Sequence, residues 1–95
     1  PATPTATKAL TMRTVHKFPV ARVGEPFVVF AGKTFKPLTM QPQGGPFQIW
    51  AEVQTSEEQN VKHQLAVVGT GHPVPHGMEW VATCQDGPFV WHLYA

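Results

Sequence analysis

The chain is 95 residues long with 42% apolar and 11% aromatic content, enough to build one core and too little to divide into two. Charged residues make up only 14%, against about 25% in an average soluble protein, so much of the surface is neutral and suited to contact with other molecules. The formal net charge of +1 comes from scattered cations in which Lys33 and Lys36 are the only close pair, which excludes the basic stripe that specific DNA or RNA binding requires.

Pro1 to Thr11 reads as an extended N-terminal arm. Pro1 to Lys8 is proline, alanine and threonine ahead of one lysine, without periodicity. Nothing in that composition offsets the roughly 1–2 kcal/mol per residue of backbone entropy that ordering costs. The arm is therefore expected to be held by the domain's own body or by a neighbouring chain, with Pro1, Thr3, Pro4, Thr5, Lys8 and Leu10 as candidate contacts. A first residue of proline also fits removal of an initiator methionine.

From Met12 to Ala95 the pattern is that of a single β domain. Thr14 to Phe18 alternates and stops at Pro19, which cannot donate to a ladder. After the Gly24-Glu25-Pro26 turn, Phe27 to Phe30 is an unbroken apolar run of the kind expected for a fully buried strand. Thr34 to Met40 alternates but contains Pro37, which predicts an edge strand or an extended loop. Gln41 to Pro46, with paired glycines between prolines, is a strong breaker.

Phe47 to Gln54 has the cleanest period of two in the chain: Phe47, Ile49, Ala51 and Val53 face one way, and Gln48, Trp50, Glu52 and Gln54 the other. Trp50 on the polar face reads as a cross-strand aromatic partner, a lid over a barrel end, or an exposed contact aromatic. Thr55 to Asn60 is expected to be a hairpin loop. Lys62 to Val68 is the next strand, followed by the turn cluster Gly69 to Pro75 and the strand Glu79 to Cys84. Gln85 to Pro88 carries the Asp-Gly hairpin signal. Phe89 to Tyr94 is mostly apolar on both faces, which predicts a central strand. About seven short strands at roughly 8–12-residue spacing imply an all-β fold, a small antiparallel sandwich or partly open barrel.

The chemistry-bearing residues are sparse. Of five histidines, His72 and His76 have the spacing of two ligands on a helix, but Pro73 and Pro75 forbid that helix. No tight Cys/His or carboxylate spacing supports a metal site with His63, His92 or Asp86 as a third ligand. The ring of His72 is expected to satisfy backbone groups inside the Gly69-Thr70-Gly71 turn. That turn has the composition to cradle a phosphate with help from the Thr70 hydroxyl, although glycine turns more often serve the fold. Cys84 has no partner for a disulfide and reads as a small buried hydrophobe. No strand-to-helix elbow lowers its pKa, and no carboxylates are paired for acid–base work. The expectation is a protein that is not an enzyme and takes no cofactor or metal. No apolar run approaches the ~20 residues of a membrane span. With no signal-peptide pattern either, the reading is a soluble chain made in a cytoplasm, with neither membrane nor nucleic acid as partner.

Four stretches carry a family resemblance: Met12 to Pro19, Ile49 to Val53, Val67 to Pro75 and Gly87 to Tyr94. In that order they resemble a family of small all-β domains encoded mostly by tailed bacteriophages. The specific signature is Gly69-Thr70-Gly71-His72-Pro73; the other stretches are ordinary strand patterns. The resemblance implies a phage origin and an all-β fold, transfers no catalytic residue, and makes residues 1–11 an addition ahead of the family's usual start at Met12. In a phage, a small neutral β domain with an arm is expected to be a capsid cement or decoration protein located in the virion. It would bind the major capsid protein, copies of itself, or both, using the arm and a contact face built from Phe35, Trp50 and Trp80. The alternative expectation is a small inhibitor or ligand-sequestering protein acting on a host defence or transcription system through the Gly69 to Pro75 turn, His72, Trp80 and a nearby cation.

Overall fold

The alternation that begins after Met12 becomes strand over most of its length. The computed structural model describes residues 12–95; the expected arm, Pro1 to Thr11, lies outside the described residues. Seven strands follow in order: β1 (Arg13–Pro19), β2 (Phe27–Ala31), β3 (Phe35–Pro42), β4 (Phe47–Gln54), β5 (Val61–Gly69), β6 (Trp80–Asp86) and β7 (Phe89–Tyr94). There is no helix among the described residues. Every pairing is antiparallel. The strands form a front sheet in the order β1-β4-β3 and a back sheet in the order β2-β5-β7-β6. The two pack face to face around one core, a β-sandwich arrangement and not a closed barrel.

The core is made by the inward half of each alternation. On β4, Ile49, Ala51 and Val53 are fully buried as the period of two predicts. Ile49 packs in one cluster with Leu65 and Val67 of β5 and Leu93 of β7, all at zero exposure. Burial of each such aliphatic side chain contributes about 1.5–3 kcal/mol. Phe18 of β1 and Phe35 of β3 come from either side of β4 and meet edge to face with ring centroids 5.2 Å apart. Phe35 also stacks on the His63 ring at 4.5 Å, which links the front sheet to the back.

Pro37 does what it was expected to do. β3 is an edge strand, and its register with β4 shifts in a bulge between Pro37 and Thr39. β7 is central, between β5 and β6. Gly87, with a φ of 59°, opens the β6–β7 turn that the Asp-Gly pair announces.

Three expectations need correction. Phe27 to Phe30 is not buried on both faces: only the inner face of the back sheet packs on the other sheet, so Phe27 and Val29 point inward while Val28 and Phe30 are 44% and 55% exposed. The segment Thr55 to Asn60 is not a hairpin loop, because β4 belongs to the front sheet and β5 to the back; it crosses between them. Trp50 has no aromatic neighbour in register. It lies half-buried on the outer face of the front sheet, opposite Lys17 of β1 and Thr39 of β3.

Candidate functional site

The Gly69 turn does not join neighbouring strands. β5 and β6 both run antiparallel to β7, so they are parallel to each other, and residues 70–79 form a crossover within the back sheet. The crossover begins with a tight bend in which the His72 N–H donates to the Gly69 carbonyl at 3.1 Å and Gly71 takes a φ of 89°. At its far end Glu79 and Ala95 exchange two backbone hydrogen bonds, which extend the β6–β7 ladder.

The bend places the His72 ring directly over Gly69. A Cβ on Gly69 would come within 3.4 Å of His72 Nδ1 and 3.5 Å of Trp91. His72, Phe89 and Trp91 line an open depression of about 680 Å³ together with Thr70, Pro88 and Val90. Its floor is aromatic: the Trp91 ring lies 5.8 Å from Phe47 and 6.4 Å from Phe89. Phe89 is 62% exposed, so an apolar surface with a histidine at its margin faces solvent. His72 is exposed, and its ring has no hydrogen-bond partner among the described residues. The expected anchoring of that ring to turn backbone is therefore replaced by stacking against Gly69.

Thr70 is the side chain that anchors the turn. Its hydroxyl lies 2.9 Å from His92 Nε2 and donates to the Val90 carbonyl at 3.4 Å. On the other side of the ring, His92 Nδ1 is 2.9 Å from the Thr83 hydroxyl, which accepts the Trp80 Nε1–H at 2.9 Å. A neutral imidazole protonated at Nε2 completes this chain with each hydroxyl donating once: Trp80 to Thr83, Thr83 to His92, His92 to Thr70, and Thr70 to Val90. The chain ties β6, β7 and the start of the crossover together. It leaves neither ring nitrogen of His92 available to a substrate.

Glu57, His63 and Cys84 are built into the scaffold, whereas His16 and His76 are exposed. Glu57 accepts hydrogen bonds from the Thr34 N–H at 2.7 Å and the Thr34 hydroxyl at 2.9 Å. His63 Nε2, which must carry its proton because a carbonyl only accepts, donates to the Gly32 carbonyl at 2.7 Å. Cys84 is buried on β6 as expected, and burial, with the nearby Asp86 charge adding to it, holds its thiol pKa above the ordinary value. No group of three potential metal ligands occurs among the described residues.

The turn residues Gly69, Thr70 and His72 gather at one end of the sandwich with Phe89 and Trp91. Phe35, Trp50 and Trp80 are not brought together. Phe35 packs inward against the core, Trp50 is on the outer face of the front sheet, and Trp80, 60% exposed, is on the edge of the back sheet. Of these three, Trp80 is the one that offers a large exposed surface. Sequence reading passed over Thr83 and considered His92 only as a third metal ligand and Phe89 only as part of a central strand. Their signal lay in the Asp-Gly turn: pairing Asp86 with Phe89 and counting back along the hairpin sets Thr83 opposite His92.

No curated protein and no solved structure matches the chain. A family described as a domain of unknown function, DUF7352, matches residues 12–95, which takes in all seven strands and the Gly69 turn. The chain belongs to the DUF7352 family.

Proposed function

We propose that the chain is a non-enzymatic structural protein of a tailed bacteriophage, a cement or decoration protein that binds the major capsid protein and stabilises the head. The observation that supports this reading is the exposure of large apolar side chains on a lightly charged sandwich: Trp80 is 60% exposed, Phe89 62% and Phe30 55%. Aromatic side chains of this kind are the anchors of protein–protein interfaces. Residues 1–11 precede the family match and supply a tether toward the capsid lattice. Binding to the assembled shell and not to its dissociated subunits stabilises the shell by mass action.

Mass spectrometry of purified virions tests the reading. A copy number comparable to that of the major capsid protein is expected, and absence from virions overturns it. Deletion of residues 1–11 is expected to abolish capsid occupancy; full occupancy by the shortened chain removes the arm from the mechanism.

The depression beside His72 favours a second reading, a small phage-encoded inhibitor or ligand-sequestering protein acting on a host defence or transcription system. An apolar concavity with one imidazole at its margin suits a flat aromatic or apolar group. Absence from virions together with co-purification of a host protein, lost on Phe89→Ala, is the result expected of this reading.

A further inference from the structure

We propose that the depression beside His72 receives residues 1–7 of the N-terminal arm of a second copy of the chain. The lining decides the chemistry of the occupant. No Lys, Arg, Asp or Glu borders the depression, and its floor is the ring pair Phe89 and Trp91, with centroids 6.4 Å apart. The Gly69-Thr70-Gly71 turn does not serve as an anion cradle, because its N–H groups are used inside the protein. The Thr70 N–H donates to the Val90 carbonyl at 3.3 Å and the His72 N–H to the Gly69 carbonyl at 3.1 Å. Two side-chain donors of the lining are unspent: the Trp91 indole N–H and the ring N–H of His72 make no hydrogen bond among the described residues. An aromatic floor with a few such donors suits an extended, proline-bearing segment. Proline rings lie on the aromatic faces, and carbonyls that have no partner within the segment accept from the side chains.

The arm has that composition. Pro1-Ala2-Thr3-Pro4-Thr5-Ala6-Thr7 carries no charged side chain. In a polyproline II form, with three residues per turn, Pro1 and Pro4 share one face and meet the two rings. Its length selects a second copy over the chain's own depression. At Met12 the chain is already in the ladder with β4, since the Thr55 N–H donates to the Met12 carbonyl at 2.9 Å. From there β1 runs toward the depression, where the Val20 N–H donates to the Phe47 carbonyl at 3.2 Å and the Phe47 ring lies 5.8 Å from Trp91. The chain therefore enters β1 at the end opposite its own depression. To reach that site the arm must reverse, which takes roughly four residues, and then cover the length of β1, about 23 Å for seven residues at ~3.3 Å each. The 11 residues before Met12 are then used up, and none remains to lie in the site. The arm of a neighbouring copy is under no such constraint. The inference rests on the reading of residues 1–11 as a contact element and is tested in solution, apart from any capsid.

Sedimentation equilibrium of the full chain over a range of concentrations is expected to show reversible self-association. Pro1→Ser combined with Pro4→Ser spoils the arm and leaves the depression intact; Phe89→Ala, at an exposed position, spoils the depression and leaves the arm intact. Each variant, with an unchanged circular dichroism spectrum, is expected to self-associate at least about tenfold more weakly. Mixed together they hold one intact arm and one intact depression, and are expected to form a 1:1 complex that neither forms alone. A synthetic peptide of residues 1–11 is expected to dissociate the wild-type assembly and to shift the Trp91 indole resonance. A wild-type chain that stays monomeric overturns the proposal, whatever its copy number in virions. Self-association that survives in both variants, or a mixture that fails to complement, overturns the contact between arm and depression.

Discussion

Gly32 shows how tightly single residues are specified at the junction between the sheets. Its φ is not positive, so its requirement for glycine is one of space. A Cβ there would lie 2.6 Å from Glu57 Oε1 and 2.7 Å from Glu57 Cβ, in the place the carboxylate needs to reach Thr34. Gly32→Ala is expected to destabilise the protein by about 1–3 kcal/mol in urea denaturation. Combined with Glu57→Ala it should cost less than the sum of the two, because both changes break the same clasp. A fully additive pair would place the damage elsewhere. Cys84 makes a second prediction at this scale. Its raised pKa means that the unfolded thiol ionises before the folded one. Its contribution is therefore intact below the ordinary thiol value of about 8.5 and is lost as pH rises through the folded value. Thermal midpoints should fall more between pH 8 and 10 for the natural chain than for Cys84→Ala. Alkylation by iodoacetamide at pH 8 should be at least about tenfold slower in the folded protein than in denaturant.

At the scale of elements, the β6–β7 hairpin is the part on which most of the back sheet depends. β7 pairs on both sides, and its Leu93 is fully buried against β5 and β6. Leu93→Ala should cost about 2–5 kcal/mol. The chain of hydrogen bonds from Trp80 through His92 to Thr70 fastens the crossover to this hairpin. Thr70→Val removes one link without changing the side chain's shape and should cost about 1 kcal/mol. Hydrogen exchange should quicken at the amides of Thr70 and His72 while those of the buried stretch Leu65 to Val68 stay protected. Uniform quickening across β5 would show that the link stabilises the whole sheet and not the turn. The edges behave differently from the centre: β3 carries its proline and bulge, whereas β2 leaves Val28 and Phe30 open.

The whole molecule has one core shared by both sheets, since Met40 and Ile49 from the front pack in the same cluster as Leu65, Val67 and Leu93 from the back. Neither sheet can lose its partner and keep its apolar face covered. Unfolding in urea is therefore expected to be a single transition. Tryptophan fluorescence, which reports Trp50 on the front sheet and Trp80 and Trp91 on the back, should coincide with far-ultraviolet circular dichroism. Separate midpoints would mean that the sheets unfold independently and that the common core does not hold them together.

What was legible in the sequence is what local alternation and turn chemistry control. The inward set of β4, the edge position of β3 and the turn before β7 each follow from residues adjacent in the chain: the alternation from Phe47 to Val53, Pro37, and Asp86-Gly87. Even the pairing of Thr83 with His92 was implied by that hairpin. What only the tertiary structure decided is which strands are neighbours when they are distant in sequence. An apolar run such as Phe27 to Ala31 looks the same whether one face of its sheet or both are covered, because its exposure depends on whether another layer packs on each face. For the same reason the Gly69 turn, legible as a specified bend, could not be seen to begin a crossover, to set His72 and Trp91 on the same depression, or to hand the Thr70 hydroxyl to His92. Those contacts depend on β7 lying between β5 and β6, a choice made by the burial of the whole core and not by any short stretch of chain.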